Sequence, residues 1–155
     1  MTTGRFGEIE IEDGKILHFV EGLPGLEWLR RFTLISSEET KPFLWFQSVE
    51  GEDVALPVIN PLLLFPDYTP WIPEQVFTEM EIKADEDVLL LVVVVIPQDV
   101  KRMTANLLSP IVVNIKNNEG RQVILENSKY ELRQPIFDLV AALVAGGDED
   151  AGSDA

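Results

Sequence analysis

His18 is the single histidine among 155 residues, so it is the first place to look for proton transfer or metal binding. One imidazole cannot supply a two-histidine metal site within the chain, and the alternation Ile16-His18-Val20 makes it a strand residue rather than a general base. A serine nucleophile fares no better, because Ser36, Ser37, Ser48, Ser109 and Ser128 all lack the G-x-S-x-G elbow that would expose a hydroxyl. Three acidic runs, Glu50-Gly51-Glu52-Asp53, Asp85-Glu86-Asp87 and Asp148-Glu149-Asp150, could offer oxygen ligands to a hard cation. None has the spaced carboxylates and glycine of a calcium loop, and solvated acidic turns explain them. Gly22-Leu23-Pro24-Gly25 is too short for a phosphate-binding loop and is not followed by Lys-Ser/Thr. Cysteine is absent, which removes disulfides, thiolate metal sites and thiol nucleophiles. No cofactor is expected.

With little chemistry to place, attention turns to surfaces. Twenty-seven acidic against 12 basic residues give a formal net charge of −15. Direct nucleic-acid binding is disfavoured, since affinity for phosphate needs clustered cations and the basic runs stop at Arg30-Arg31 and Lys101-Arg102. A basic protein partner suits this charge; solubility alone is the plainer use of it. The longest apolar run, residues 88–96, is too short to span a bilayer as a helix, and the first residues lack a secretory pattern. A monomeric cytoplasmic protein without membrane contact is expected.

The elements that would carry a binding surface are mostly strands. Residues 7–12 alternate, with Ile9 and Ile11 on one face and Glu8, Glu10 and Glu12 on the other. Asp13-Gly14 then makes a hairpin to a return strand at 15–20, because a type I′ turn needs positive φ at both central positions. Leu23-Pro24-Gly25 predicts a type II turn, and residues 26–31 one short helical turn. Strands at 32–36, 43–48 and 54–59 continue a meander. Four prolines between 60 and 73 break regular pairing and predict a long surface connection carrying Phe65, Tyr68 and Trp71. Residues 74–83 fit either a strand or a short helix. Valine-rich 88–96 predicts a strand buried on both faces, and 110–116 with 121–126 a hairpin through Asn117-Asn118-Glu119-Gly120.

The end alone looks helical. Pro135 suits a first helical position, Ile136, Leu139, Val140, Leu143 and Val144 recur at helical spacing, and Gly146-Gly147 stops the pattern. The expectation is one domain over 1–146 with a helix at about 135–145 packed on a β-core, then a disordered acidic tail at 147–155.

Several blocks taken in order carry a family resemblance. Phe6-Gly7, Phe19-x-Glu21-Gly22-Leu23-Pro24-Gly25-Leu26-Glu27, Pro42-Phe43-x-Trp45-x-Gln47-Ser48, Asn60-Pro61, Tyr68 and Thr104-x-Asn106-Leu107-x-x-Pro110-Ile111-Val112-Val113-Asn114 resemble the flagellar assembly factor FliW family. The match runs from residue 6 to about 133. Leu26 departs from the family's frequent phenylalanine by a conservative apolar change, and nothing after Pro135 is carried over.

The resemblance implies a mainly β, single-domain, antiparallel barrel-like fold with one short C-terminal helix and no enzymatic activity. It also implies binding of newly made flagellin in the cytoplasm and of CsrA, a small translational repressor of flagellin messenger RNA. Two partner surfaces are then expected. Glu8, Glu10 and Glu12 would meet CsrA, whose RNA-binding surface must be basic, or else form an ordinary solvated strand face. Phe65, Tyr68 and Trp71 would meet flagellin, or else pack the proline-rich stretch onto the barrel. Gly22, Pro24, Gly25, Gln47, Asn60, Asn106, Pro110 and Asn114 are expected to shape the scaffold, since buried amides commonly satisfy backbone groups where strands bend or end. A small-ligand-binding β-barrel of unknown substrate is the alternative.

Overall fold

The structure, a computed structural model, describes residues 16–23, 26–36, 38–49, 54–126 and 128–154, with side chains as far as 146. The hairpin expected over 7–20 therefore lies outside the described residues except for its return strand, β1 (Ile16–His18). From β1 the chain runs through an antiparallel meander of β2 (Arg31–Ser36), β3 (Leu44–Ser48) and β4 (Ala55–Ile59). After the proline-rich connection come a short helix, α1 (Glu74–Glu79), and the long strand β5 (Val88–Val95). The remaining elements are β6 (Thr104–Ala105), β7 (Ile111–Asn114), β8 (Glu119–Gln122), β9 (Gln134–Pro135) and α2 (Phe137–Asp154).

Seven strands close into a barrel in the order β4-β3-β2-β1-β8-β7-β5, with β5 pairing back onto β4. A ring with an odd number of strands cannot alternate direction all the way round. One neighbouring pair must be parallel, and here it is β1 with β8, where His18 pairs with Glu119. Among the described strands the barrel is thus antiparallel everywhere except at this seam.

Alternation along the strands fills the interior. Leu17 and Phe19 point inward beside Phe32, Phe46, Val58, Leu91, Ile111 and Val113. Phe19 meets Phe32 and Phe46 edge to face, at 5.6 and 5.7 Å between ring centroids. Such pairs add about 0.5–1.5 kcal/mol to the burial of the rings themselves. His18 and Val20 face outward, so the buried parity of β1 is the odd one, and His18 is an exposed strand residue.

β5 is apolar on both faces, as its composition predicts. Leu89, Leu91 and Val93 belong to the barrel interior, while Val88 and Leu90 pack with Met80 of the α1 region and Val112. Val92 and Val94 meet a further cluster formed by Leu64, Tyr68, Met103, Ile136 and Val140. That burial stops at Val94, because Val95 and Ile96 are exposed.

Several local expectations are corrected. Residues 26–29 form a turn rather than a helical segment, with the Leu29 amide donating to Leu26 O at 2.9 Å. The turn expected at 117–120 lies earlier, at 115–118, and the residue with positive φ is Asn118. Asparagine tolerates that conformation, so glycine is not needed for it. Gly120 serves packing instead: a Cβ there would stand 2.5 Å from Cζ of Phe19. Pro135 is not the first turn of the helix, because it pairs with Thr104 in β9 and the Ile136 amide donates to Met103 O. Tertiary pairing overrides a sound helix-start signal, and α2 begins at Phe137. Its span passes through Gly146 and Gly147, despite the helix cost of about 1 kcal/mol per glycine, and takes in the segment up to Asp154 expected to be a tail.

Candidate partner-binding surface

The proline-rich connection is held to the barrel by its own polar atoms. Asn60 ends β4 and accepts from the Leu62 amide at 3.0 Å, capping a 3-10 turn over Pro61–Leu63. Proline at the first position of that turn has no amide to leave unsatisfied. Further along, the Tyr68 hydroxyl donates to Leu107 O at 2.6 Å, and Tyr130 Oη accepts from the Thr69 amide at 2.9 Å. Burial pushes the Tyr68 phenol well above its ordinary range, with the neighbouring Tyr130 adding to the effect. Hydrogen bonds from Thr69 move Tyr130 the other way, below the ordinary value.

The three aromatics expected to form one contact patch are consequently separated in role. Tyr68 is buried at 4% exposure and Phe65 is half-buried against the same cluster, whereas Trp71 stands 72% exposed. A groove of about 320 Å³ runs between Phe65, Pro66 and Tyr68 on one side and Lys129 and Tyr130 on the other. Exposed apolar residues outside the sequence-based candidates include Trp28, at the turn after β1, and Leu62 and Leu63, in the same connection as Trp71. The three consecutive leucines between Pro61 and Pro66 were a usable signal, since three adjacent side chains in a surface connection cannot all turn toward the core.

Glu8, Glu10, Glu12, Pro24 and Gly25 lie outside the described residues. Between the described residues on either side of the last two, the Leu26 amide donates to Leu23 O at 2.8 Å. Gly22 has φ +68°, and a Cβ there would lie 2.7 Å from the Glu27 backbone. Gln47 is buried on β3. Asn106 Oδ1 accepts from the Ser109 amide, and the buried Pro110 carbonyl accepts from the Val123 amide. Asn114, 1% exposed at the end of β7, donates to Met80 O at 2.9 Å and accepts from the Lys116 amide. It ties the α1 region to the barrel end. Arg121 of β8 adds a 2.6 Å ion pair to Glu79 of α1, and this hydrogen bond holds the Glu79 carboxyl below its usual range, aided by Gln75.

Among the described residues no group of three or more His, Cys, Asp or Glu side chains could hold a metal ion. No described helix is long and apolar enough to cross a membrane. The barrel interior is occupied by its own phenylalanines and aliphatic residues, and the cavity at one end, about 280 Å³, offers Ser36 and Asn118 among apolar walls. A buried small-molecule site needs more convergent polar groups than that.

These features define a class: a small closed β-barrel filled largely by its own side chains, whose exposed apolar residues sit on connections, at strand ends and on the C-terminal helix. The FliW protein family matches residues 1–136. The chain is 42% identical over 135 residues to the flagellar assembly factor FliW of Thermotoga maritima, covering 86% of this chain and 91% of the relative. It is 40% identical over 139 residues to that of Thermoanaerobacter pseudethanolicus, covering 89% and 93%. A crystal structure of the flagellar assembly factor FliW superposes with a TM-score of 0.81 at 32% identity, covering 88% of this chain and 96% of that one. The chain belongs to the FliW family.

Proposed function

We propose that this protein is a non-enzymatic flagellar assembly factor that binds flagellin in the cytoplasm and antagonises the translational repressor CsrA by direct contact. The observation that carries this reading is family membership over nearly the whole barrel, at about 40% identity to relatives named flagellar assembly factor FliW. A net charge of −15 supports it, since an acidic protein is steered toward the basic surface that an RNA-binding repressor must present. The mechanism is mass action. Flagellin that accumulates occupies the factor, CsrA is released, and flagellin synthesis falls; as flagellin leaves, the factor captures CsrA again.

Glu8, Glu10 and Glu12 are the proposed CsrA-facing carboxylates, and charge reversal at all three should weaken CsrA binding and flatten its salt dependence. Trp71, with the edge of Phe65, is the proposed flagellin contact, while Tyr68 holds their connection in place. Size-exclusion chromatography of the purified protein with flagellin and with CsrA tests the reading. Two co-eluting complexes are expected at micromolar concentration. If neither forms, the proposal is lost.

A further inference from the structure

Outside the barrel, the end of β5 pairs with β6 and β6 with β9, in the register Val95 with Thr104 and Thr104 with Pro135. Because side chains alternate, Val94 and Ala105 enter the core cluster beneath this small sheet, and Val95 and Thr104 face the other way. A cleft of about 630 Å³ opens on that outward side, and both Arg102 and Arg133 line it. Both are exposed, and neither makes an ion pair or side-chain hydrogen bond among the described residues. Asp99, also at the cleft, already accepts from the Lys101 amide at 3.2 Å. Two unpaired guanidiniums share one cleft in a chain where acids outnumber bases 27 to 12.

We propose that this cleft binds a carboxylate-bearing peptide segment of a protein partner. Guanidinium groups match carboxylates in a planar, two-pronged geometry, and Val95 and Pro97 provide an apolar wall for a neighbouring side chain. An extended polyanion is the poorer match. Nucleic acid or an anionic membrane would have to lie along a surface of strongly negative net charge, and two arginines cannot offset that repulsion. A short peptide meets the cleft alone. The site is independent of the contacts proposed above, having the opposite sign to the acidic face assigned to CsrA.

The test uses the ¹⁵N-labelled full-length protein and an acetylated, amidated hexapeptide of alternating glutamate and leucine at low ionic strength. Saturable shifts of the Arg102 and Arg133 side-chain Nε–H resonances are expected. Arg102→Gln and Arg133→Gln should each raise Kd about fivefold or more, and the pair together more than tenfold, with unchanged thermal midpoints. Lys101→Gln, adjacent in sequence but not lining the cleft, should leave Kd within about twofold. A peptide with glutamine for glutamate should not bind. The proposal is overturned by no saturation up to millimolar peptide, by equal weakening in Lys101→Gln, or by a single-stranded RNA engaging the two arginines where the peptide does not.

Discussion

The ring of Tyr68 stands edge-on to that of Tyr130, 4.6 Å between centroids, yet the two phenols face opposite environments. One is buried and donates to a backbone carbonyl; the other accepts from a backbone amide at the surface.

These are the two tyrosines of the chain, so an ultraviolet titration should show two separate phenolate steps. Tyr130 should ionise below the ordinary value of 10.0, and Tyr68 well above it. A raised folded-state pKa means that the stability Tyr68 contributes is complete below pH 10 and is lost as pH climbs beyond it toward the folded-state value. Tyr68→Phe should abolish the later step, reduce the alkaline loss of stability and cost about 1–3 kcal/mol at neutral pH by orphaning Leu107 O. A single step accounting for both phenols would contradict the arrangement.

Gly120→Ala should destabilise the barrel by about 1–3 kcal/mol, because the new methyl enters the space of a ring held by two other phenylalanines. Adding Phe19→Leu should recover part of that loss, since a smaller side chain vacates the contested volume. Urea denaturation of the four proteins of the cycle measures the coupling, and simple additivity would show that the two positions do not compete.

Asn114→Asp should be more damaging at pH 7 than at pH 4. A carboxylate replaces the amide that donates to Met80 O, and at neutral pH it places charge against a carbonyl in a buried site. Asn114→Ala should cost about 1–3 kcal/mol at either pH. The smaller effect belongs to Asn117→Ala, whose longer 3.2 Å bond reaches the same carbonyl from a more open position. Equal losses for Asp at both pH values would rule out the charge effect.

Trp71→Ala should change stability by less than about 0.5 kcal/mol, as expected for an exposed side chain away from caps and networks. If Trp71 is a flagellin contact, the same variant weakens flagellin binding by tenfold or more, in the range of an aromatic hot spot. Calorimetric titration with flagellin decides it, and an unaltered Kd removes Trp71 from the surface.

Much of the barrel was legible because the forces that make it are local. Alternation and turn residues marked β2, β3, β4, β5 and β7 to within a residue or two, and the resemblance supplied the barrel. β6 and β9 escaped because two-residue strands carry no periodicity; only their partners define them. Pro135 and Gly120 misled for the same reason. Each has a strong local preference, and each is placed by a distant residue, Thr104 for one and Phe19 for the other. At the candidate surface, sequence could mark aromatics in a connection without saying which way they turn. The Tyr68 hydrogen bond to Leu107, 39 residues away, is what separates it from Trp71.

The parallel seam between β1 and β8 has a kinetic meaning. It joins positions roughly a hundred residues apart, whereas β1 to β4 pair through short connections, and contacts so distant along the chain form late because loop closure costs entropy before the contact rewards it. The meander can assemble as an open, curled sheet, and the ring closes when β8 arrives. Amide exchange should find the seam the first joint to open and the last to lock.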